Sequence, residues 1–132
     1  MFKEIIQPRF NETDALGHIN NTVLTQWFEG ARDPIFKLFT PDLNTKQWRL
    51  ILASISVQFK AELFYGLPVE LRTGVSMVGN SSFEIHQEAW QQGRCCALGK
   101  AVLVQYDFDA KQKLLLSHEQ KVSLNAHLIS AS

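Results

Sequence analysis

Residues 12–32 read Glu-Thr-Asp-Ala-Leu-Gly-His-Ile-Asn-Asn-Thr-Val-Leu-Thr-Gln-Trp-Phe-Glu-Gly-Ala-Arg. The first half is a short polar loop carrying one acid, Asp14, with Gly17, His18, Asn20 and Asn21 behind it. The second half opens a helix. From Thr22 onwards Val23, Leu24, Trp27, Phe28, Ala31, Ile35, Leu38 and Phe39 recur at helical spacing. Those apolar positions cover more than a narrow stripe, so the helix is expected to be largely buried. Pro34, with Asp33 ahead of it, kinks this helix or starts a second short one. A helix start exposes unpaired backbone N–H groups. A carboxylate beside that positive end is a workable arrangement for attacking a carbonyl and holding the resulting oxyanion.

What surrounds a buried helix comes from the later sequence. Phe2 to Phe10 reads as a first strand, ended by Pro8 or by the polar loop from Asn11. Pro41 to Gln47 is a turn-rich connection. Ala53, Ile55, Val57, Phe59, Ala61 and Leu63 alternate with polar residues over eleven positions. That is strand period, with one face on a core and the other towards solvent or a partner. Val69, Leu71, Thr73, Val75 and Met77 repeat the pattern, and Gly79-Asn80-Ser81 turns the chain into Phe83, Ile85 and Ala89. Gln92-Gly93 marks the next turn. Arg94 to Phe108 is apolar on both sides and is expected to be central. Ser117 to Leu128 reads as a terminal helix.

One apolar helix followed by a long antiparallel sheet predicts an α+β fold in which the sheet wraps round a central helix. At 132 residues the chain is expected to be a single domain, 1–132. Long strands with open edges favour pairing between subunits, so a homodimer or a dimer of dimers (a homotetramer) is expected.

Composition removes several classes of function. Thirteen Lys+Arg balance thirteen Asp+Glu, which predicts no bulk attraction to nucleic acid or to an acidic membrane. Nothing approaches the roughly 18–20 consecutive apolar residues of a membrane span. Met-Phe-Lys-Glu lacks the layout of a signal peptide, and a cytoplasmic protein is expected. Cys95 and Cys96 are adjacent, a poor arrangement for a disulfide or a metal site, and read as small apolar residues in a strand. His86, His118 and His127 are scattered without metal-ligand spacing. No nucleophile elbow or phosphate-binding glycine loop is present, so no metal or cofactor is expected.

The segment Thr13-Asp14-Ala15-Leu16-Gly17-His18-Ile19-Asn20-Asn21, with Glu29-Gly30-Ala31-Arg32 on the helix and Gly79-Asn80-Ser81-Ser82-Phe83 at the later hairpin, resembles the hotdog-fold acyl-CoA thioesterases of the 4-hydroxybenzoyl-CoA thioesterase-like family. The resemblance runs over roughly residues 3–110. It implies hydrolysis of an acyl-CoA thioester, with Asp14 as general base on water or as direct nucleophile. The Asn21 backbone N–H would receive the thioester oxygen. His18 would act as acid/base or organise the loop, while Gly17, Asn20, Glu29 and Ser82 would meet the substrate.

Each residue also has a plainer reading. Asp14 can be a turn residue satisfying backbone N–H groups. Asn20 and Asn21 can be cap residues, Gly17 a position needing unusual backbone geometry, Glu29 a solvated acid and Ser82 a turn hydroxyl. Coenzyme A phosphates would draw on Lys60, Arg72, Arg94 or Lys100. Leu67-Pro68 stands where relatives often carry Gly-Asp, and the usual proline-rich end of the last strand reads Leu114-Leu115-Leu116-Ser117. Two other activities fit the same fold: an acyl-thioester hydratase or dehydratase, and a non-catalytic acyl-thioester binding protein.

Overall fold

The computed structural model describes residues 1–129; the last three residues of the expected 1–132 domain lie outside the described residues. Five strands form one antiparallel sheet: β1 (Phe2–Ile6), β2 (Leu50–Phe59), β3 (Val69–Val78), β4 (Ser82–Gln91) and β5 (Arg94–Asp107), in the order β1-β3-β4-β5-β2. A short β6 (Gln112–Lys113) pairs with the end of β5. The helices are α1 (Asn21–Gly30), α2 (Asp33–Phe36) and α3 (His118–Asn125). The sheet curls around α1, the architecture the sequence predicts.

The hairpins follow from local chemistry. Gln92 and Gly93 both have positive φ, 51° and 74°, the geometry whose twist matches a two-residue hairpin. Gly79 closes the β3–β4 turn with an N–H donated to the Ser82 carbonyl at 2.7 Å. Pro34 sits in the first turn of α2, so the second short helix is the observed alternative to a kink. Ser117 caps α3 through the Gln120 N–H at 3.1 Å.

Three expectations need correction. The first strand stops at Ile6 instead of Phe10, because Pro8 has no N–H for the ladder and Phe10–Glu12 turns into a 3-10 helix. The second strand stops at Phe59, not Leu63, and its pattern is broken by a bulge between Leu52 and Ser54. Leu52 pairs with Leu103, and beyond the bulge Ile55, Val57 and Phe59 pair with Ala101, Gly99 and Ala97. Ala53 is the inserted residue and drops out of the alternating set. A second bulge between Val75 and Met77 sends Met77 outwards, where it is 57% exposed, and brings Val78 onto the core instead.

The helix is less enclosed than its composition predicts. Leu24 and Phe28 are buried and Val23 and Trp27 half-buried, but Asn21, Thr22, Gln26 and Glu29 face solvent. Apolar residues are there to anchor one face, and the side towards β2 is left open. The inward residues of β2 are accordingly uncovered, with Ile55 45% and Phe59 50% exposed. β5 is interior, between β4 and β2, as its two-sided apolar pattern predicts. Cys96 is buried and Cys95 half-buried, both as free thiols.

Where α1 meets the sheet, Gly99 is required. A Cβ there would lie 2.9 Å from the Phe28 ring. The buried end of α1 is satisfied by Gln87, whose Nε2 donates to the Phe28 carbonyl at 2.7 Å and to Thr73 Oγ1 at 3.2 Å. That carbonyl is one of the last four of the helix and has no partner within it. Among the described residues no helix is long and apolar enough to cross a membrane.

Candidate active site

Asp14 sits in a tight loop closed by a two-way pairing. Its N–H donates to the His18 carbonyl at 2.8 Å, and Thr13 bridges Ile19. Its Oδ1 accepts N–H groups from Leu16 at 2.8 Å and His18 at 3.1 Å. Oδ2 has no hydrogen-bond partner among the described residues, and the side chain is exposed. The carboxylate is thus held by one oxygen and presents the other. The turn reading and the catalytic reading of Asp14 describe two different oxygens of the same group.

The loop is fixed to the body at several points. Gly17 takes φ 77°, and nothing lies within 4 Å of where a Cβ would stand, so backbone geometry rather than crowding requires glycine. His18 places Nδ1 3.2 Å from Glu62 Oε2 and its ring edge-on to Phe64, with centroids 5.1 Å apart. Gln91 clamps Phe64 from both sides of its peptide, receiving its N–H and donating to its carbonyl, each at 2.9 Å. On the near side of the loop Glu12 accepts the Trp27 indole N–H at 2.9 Å and the Arg9 N–H at 2.7 Å.

Asn20 is the cap of α1. Its Oδ1 accepts from the Thr22 N–H at 3.0 Å and the Thr22 hydroxyl at 2.9 Å. Among the described residues the Asn21 N–H makes no hydrogen bond, which leaves a donor at the positive end of α1. Asn21 lines a cleft of about 330 Å³ whose other wall is the end of β2 and the segment after it, including Phe59, Lys60, Glu62 and Leu63. Lys60, Glu62, Phe64 and Gln91 were not singled out as a group from sequence. They lie between 46 and 77 positions beyond Asp14, and the pairing of His18 with Phe64 brings them to it.

The structure separates two of the expected substrate contacts from this place. Glu29 is two helical turns beyond Asn21, about 12 Å of rise, and opens on a different groove with Arg32 and Phe36. Ser82 begins β4, while Gln91 at its other end holds Phe64. Nine strand steps put roughly 30 Å between them. Of the cations considered for phosphate contacts, Arg72 is taken by Glu70 at 2.6 Å and by the Trp90 ring, 4.2 Å from its centroid. Lys100 stands 3.8 Å from Glu84. Lys60 alone of the four lines the Asn21 cleft.

A curled antiparallel sheet around α1, with an acidic loop leading into that helix, defines the hotdog-fold thioesterases. The model of the thioesterase-like superfamily matches residues 8–128, and the chain belongs to that superfamily. It is 40% identical to a predicted thioesterase from Bacillus stearothermophilus, with 99% of this chain and 98% of that one covered and a TM-score of 0.94. A DHNA-CoA thioesterase from Staphylococcus aureus is 26% identical over 94% of this chain and 90% of its own, with a TM-score of 0.78. The protein YsmA of Bacillus subtilis strain 168, itself uncharacterised, is 28% identical over 90% of this chain and 82% of its own length.

Proposed function

We propose that this protein, as one domain, hydrolyses acyl-CoA thioesters to the free acid and coenzyme A, with Asp14 as the reacting carboxylate. The observation that carries this reading is the Asp14 loop: Oδ1 is tied to two backbone N–H groups, Oδ2 is unencumbered, and the loop runs directly into a helix start with a free Asn21 N–H. A group positioned by its neighbours and open on its reactive side is what a base or nucleophile needs.

In the reaction, the thioester carbonyl accepts the Asn21 N–H, and water activated by Asp14 Oδ2, or Oδ2 itself, attacks the carbonyl carbon. The C–S bond breaks and expels the thiolate of coenzyme A. On the water route the thiolate takes up the proton that Asp14 removed from water. On the nucleophile route water then cleaves the acyl–Asp14 anhydride, releasing the acid, restoring the carboxylate and supplying the thiol proton. His18, held by Glu62, and Asn20 and Gly17 shape the loop that presents Asp14. Lys60 is the cation placed for a coenzyme A phosphate. The family membership and the DHNA-CoA thioesterase among the structural neighbours support a coenzyme A thioester as substrate.

The site is open in a single chain, and the same side of the molecule exposes the ten-residue edge strand β2 with Leu52, Ile55 and Phe59. A homodimer through that edge, itself able to pair into a tetramer, would cover these residues; Glu29 and Ser82 would then reach substrate only across a subunit boundary. Release of free thiol from a panel of short, long and aromatic acyl-CoAs tests the reading. Turnover that is lost in Asp14→Asn supports it. Tight binding without turnover across the whole panel would instead favour an acyl-thioester binding protein.

A further inference from the structure

A groove of about 560 Å³ lies between the C-terminal end of α1 and the first half of β2. Arg32 forms part of its lining yet is only 5% exposed. Its Nε donates to Gln87 Oε1 at 3.2 Å. Among the described residues its two terminal nitrogens make no hydrogen bond, and no carboxylate forms an ion pair with it. Among the described residues no sealed side-chain nitrogen or oxygen is left without a partner, so those terminal nitrogens keep surface free of protein, on the groove that Arg32 lines. Phe36, Trp48, Leu50, Leu52 and Leu103 make the walls apolar.

A guanidinium in this position keeps its charge but has traded water for one neutral amide. A planar carboxylate matches its two free N–H edges with paired, charge-assisted hydrogen bonds. The walls supply the complementary half, since apolar surface covered there is removed from water. Glu29 and Asp33, also on the lining, oppose an anion, but both are exposed and screened by solvent whereas Arg32 is not.

We propose that this groove binds a carboxylic acid with an apolar body, its carboxylate on the Arg32 guanidinium. The site is distinct from the thioester carbonyl position in the same chain, because Arg32 follows the C-terminal end of α1, whereas Asn21 opens it about 13 Å of helical rise earlier. Its occupation requires no turnover and does not rest on the role of Asp14. The carboxylate can belong to a free acid or to the far end of an acyl chain carried on coenzyme A.

Calorimetric titration of the intact protein with decanoate and 1-decanol, and of its Asp14→Asn variant with the coenzyme A thioester of decanedioic acid, tests this. Decanoate is expected to bind at least tenfold more tightly than decanol, with the preference erased in Arg32→Gln and increased severalfold in Glu29→Gln. Because Arg32 is a core residue, Gln26→Trp provides a second route: it fills the groove from an exposed position on α1 and should cost at least tenfold in affinity for the acid that binds. Arg32-dependent binding of decanoate assigns the site to free acids. The same dependence seen only with the decanedioyl thioester, against a decanoyl-CoA control, assigns it to an acyl terminus. Arg32-independent binding of both decanoate and the decanedioyl thioester, no binding of either, or an affinity of the bound acid untouched by Gln26→Trp overturns the proposal.

Discussion

Asp14 ties one oxygen to two backbone N–H groups and leaves the other free, and substitutions should separate a structural role from the proposed catalytic one. Asparagine keeps an acceptor for the Leu16 and His18 N–H groups but cannot act as base or nucleophile. Asp14→Asn is therefore expected to retain the wild-type melting temperature while turnover of a good acyl-CoA falls by roughly 100- to 10,000-fold, measured by thiol release. An unchanged rate would remove Asp14 from the chemistry. Gly17→Ala should behave differently. It places a side chain at φ 77°, which costs on the order of 1–2 kcal/mol, and thermal unfolding should register that loss. Burial pushes the Cys95 thiol above its ordinary range, and the nearby charge of Glu88 adds to the effect. Alkylation of Cys95 by iodoacetamide should accordingly be slow at neutral pH and accelerate as pH rises.

At the scale of elements, the contact of α1 with β5 is the tightest test of packing. Gly99→Ala would drive a methyl group into the Phe28 ring at 2.9 Å. Overpacking of this kind costs about 1–3 kcal/mol, and Phe28→Leu in the same chain should return part of that stability in chemical denaturation. The pairing of α1 with its sheet was legible in the sequence because Leu24 and Phe28 keep helical spacing and β3, β4 and β5 alternate. The bulges at Ala53 and Ser76 were not. Period-2 alternation runs through an inserted residue without any local mark, and only the partner strand shows that phase has changed. The Asp14 loop was readable because its residues are contiguous. Arg32 and Gln87 were not readable as a buried pair, since 55 positions separate them and each is an unremarkable surface type on its own.

At the scale of the whole molecule, the outer face of the sheet carries a charged ladder that sets its acid sensitivity. Burial alone would raise the Glu88 carboxyl. Hydrogen bonds from His86 at 2.8 Å and Trp90 at 2.8 Å, with the charges of His86 and Arg72, outweigh it and hold the group below the usual carboxylate range. A lowered folded-state pKa contributes stability that is present above the unfolded value and lost as pH falls through the folded one. The melting temperature should therefore drop on acidification across the low end of the carboxylate range, and Glu88→Gln should make that drop shallower. The uncovered β2 edge makes an equally global prediction. Ile55→Lys should shift the sedimentation coefficient towards that of a single chain while leaving circular dichroism intact; an unchanged coefficient would place self-association elsewhere.

The fastening of the Asp14 loop has a kinetic consequence. Glu12 pins its entrance to Trp27, and Gln91 pins the Phe64 strap on which His18 rests. A loop secured on both flanks has no hinge about which to swing, so turnover would carry no opening and closing step of its own. Any drag felt from a thickened medium, such as added sucrose, would then come only from the arrival and departure of small molecules. The slow motions of the protein would be found elsewhere, and not in the segment proposed to do the chemistry.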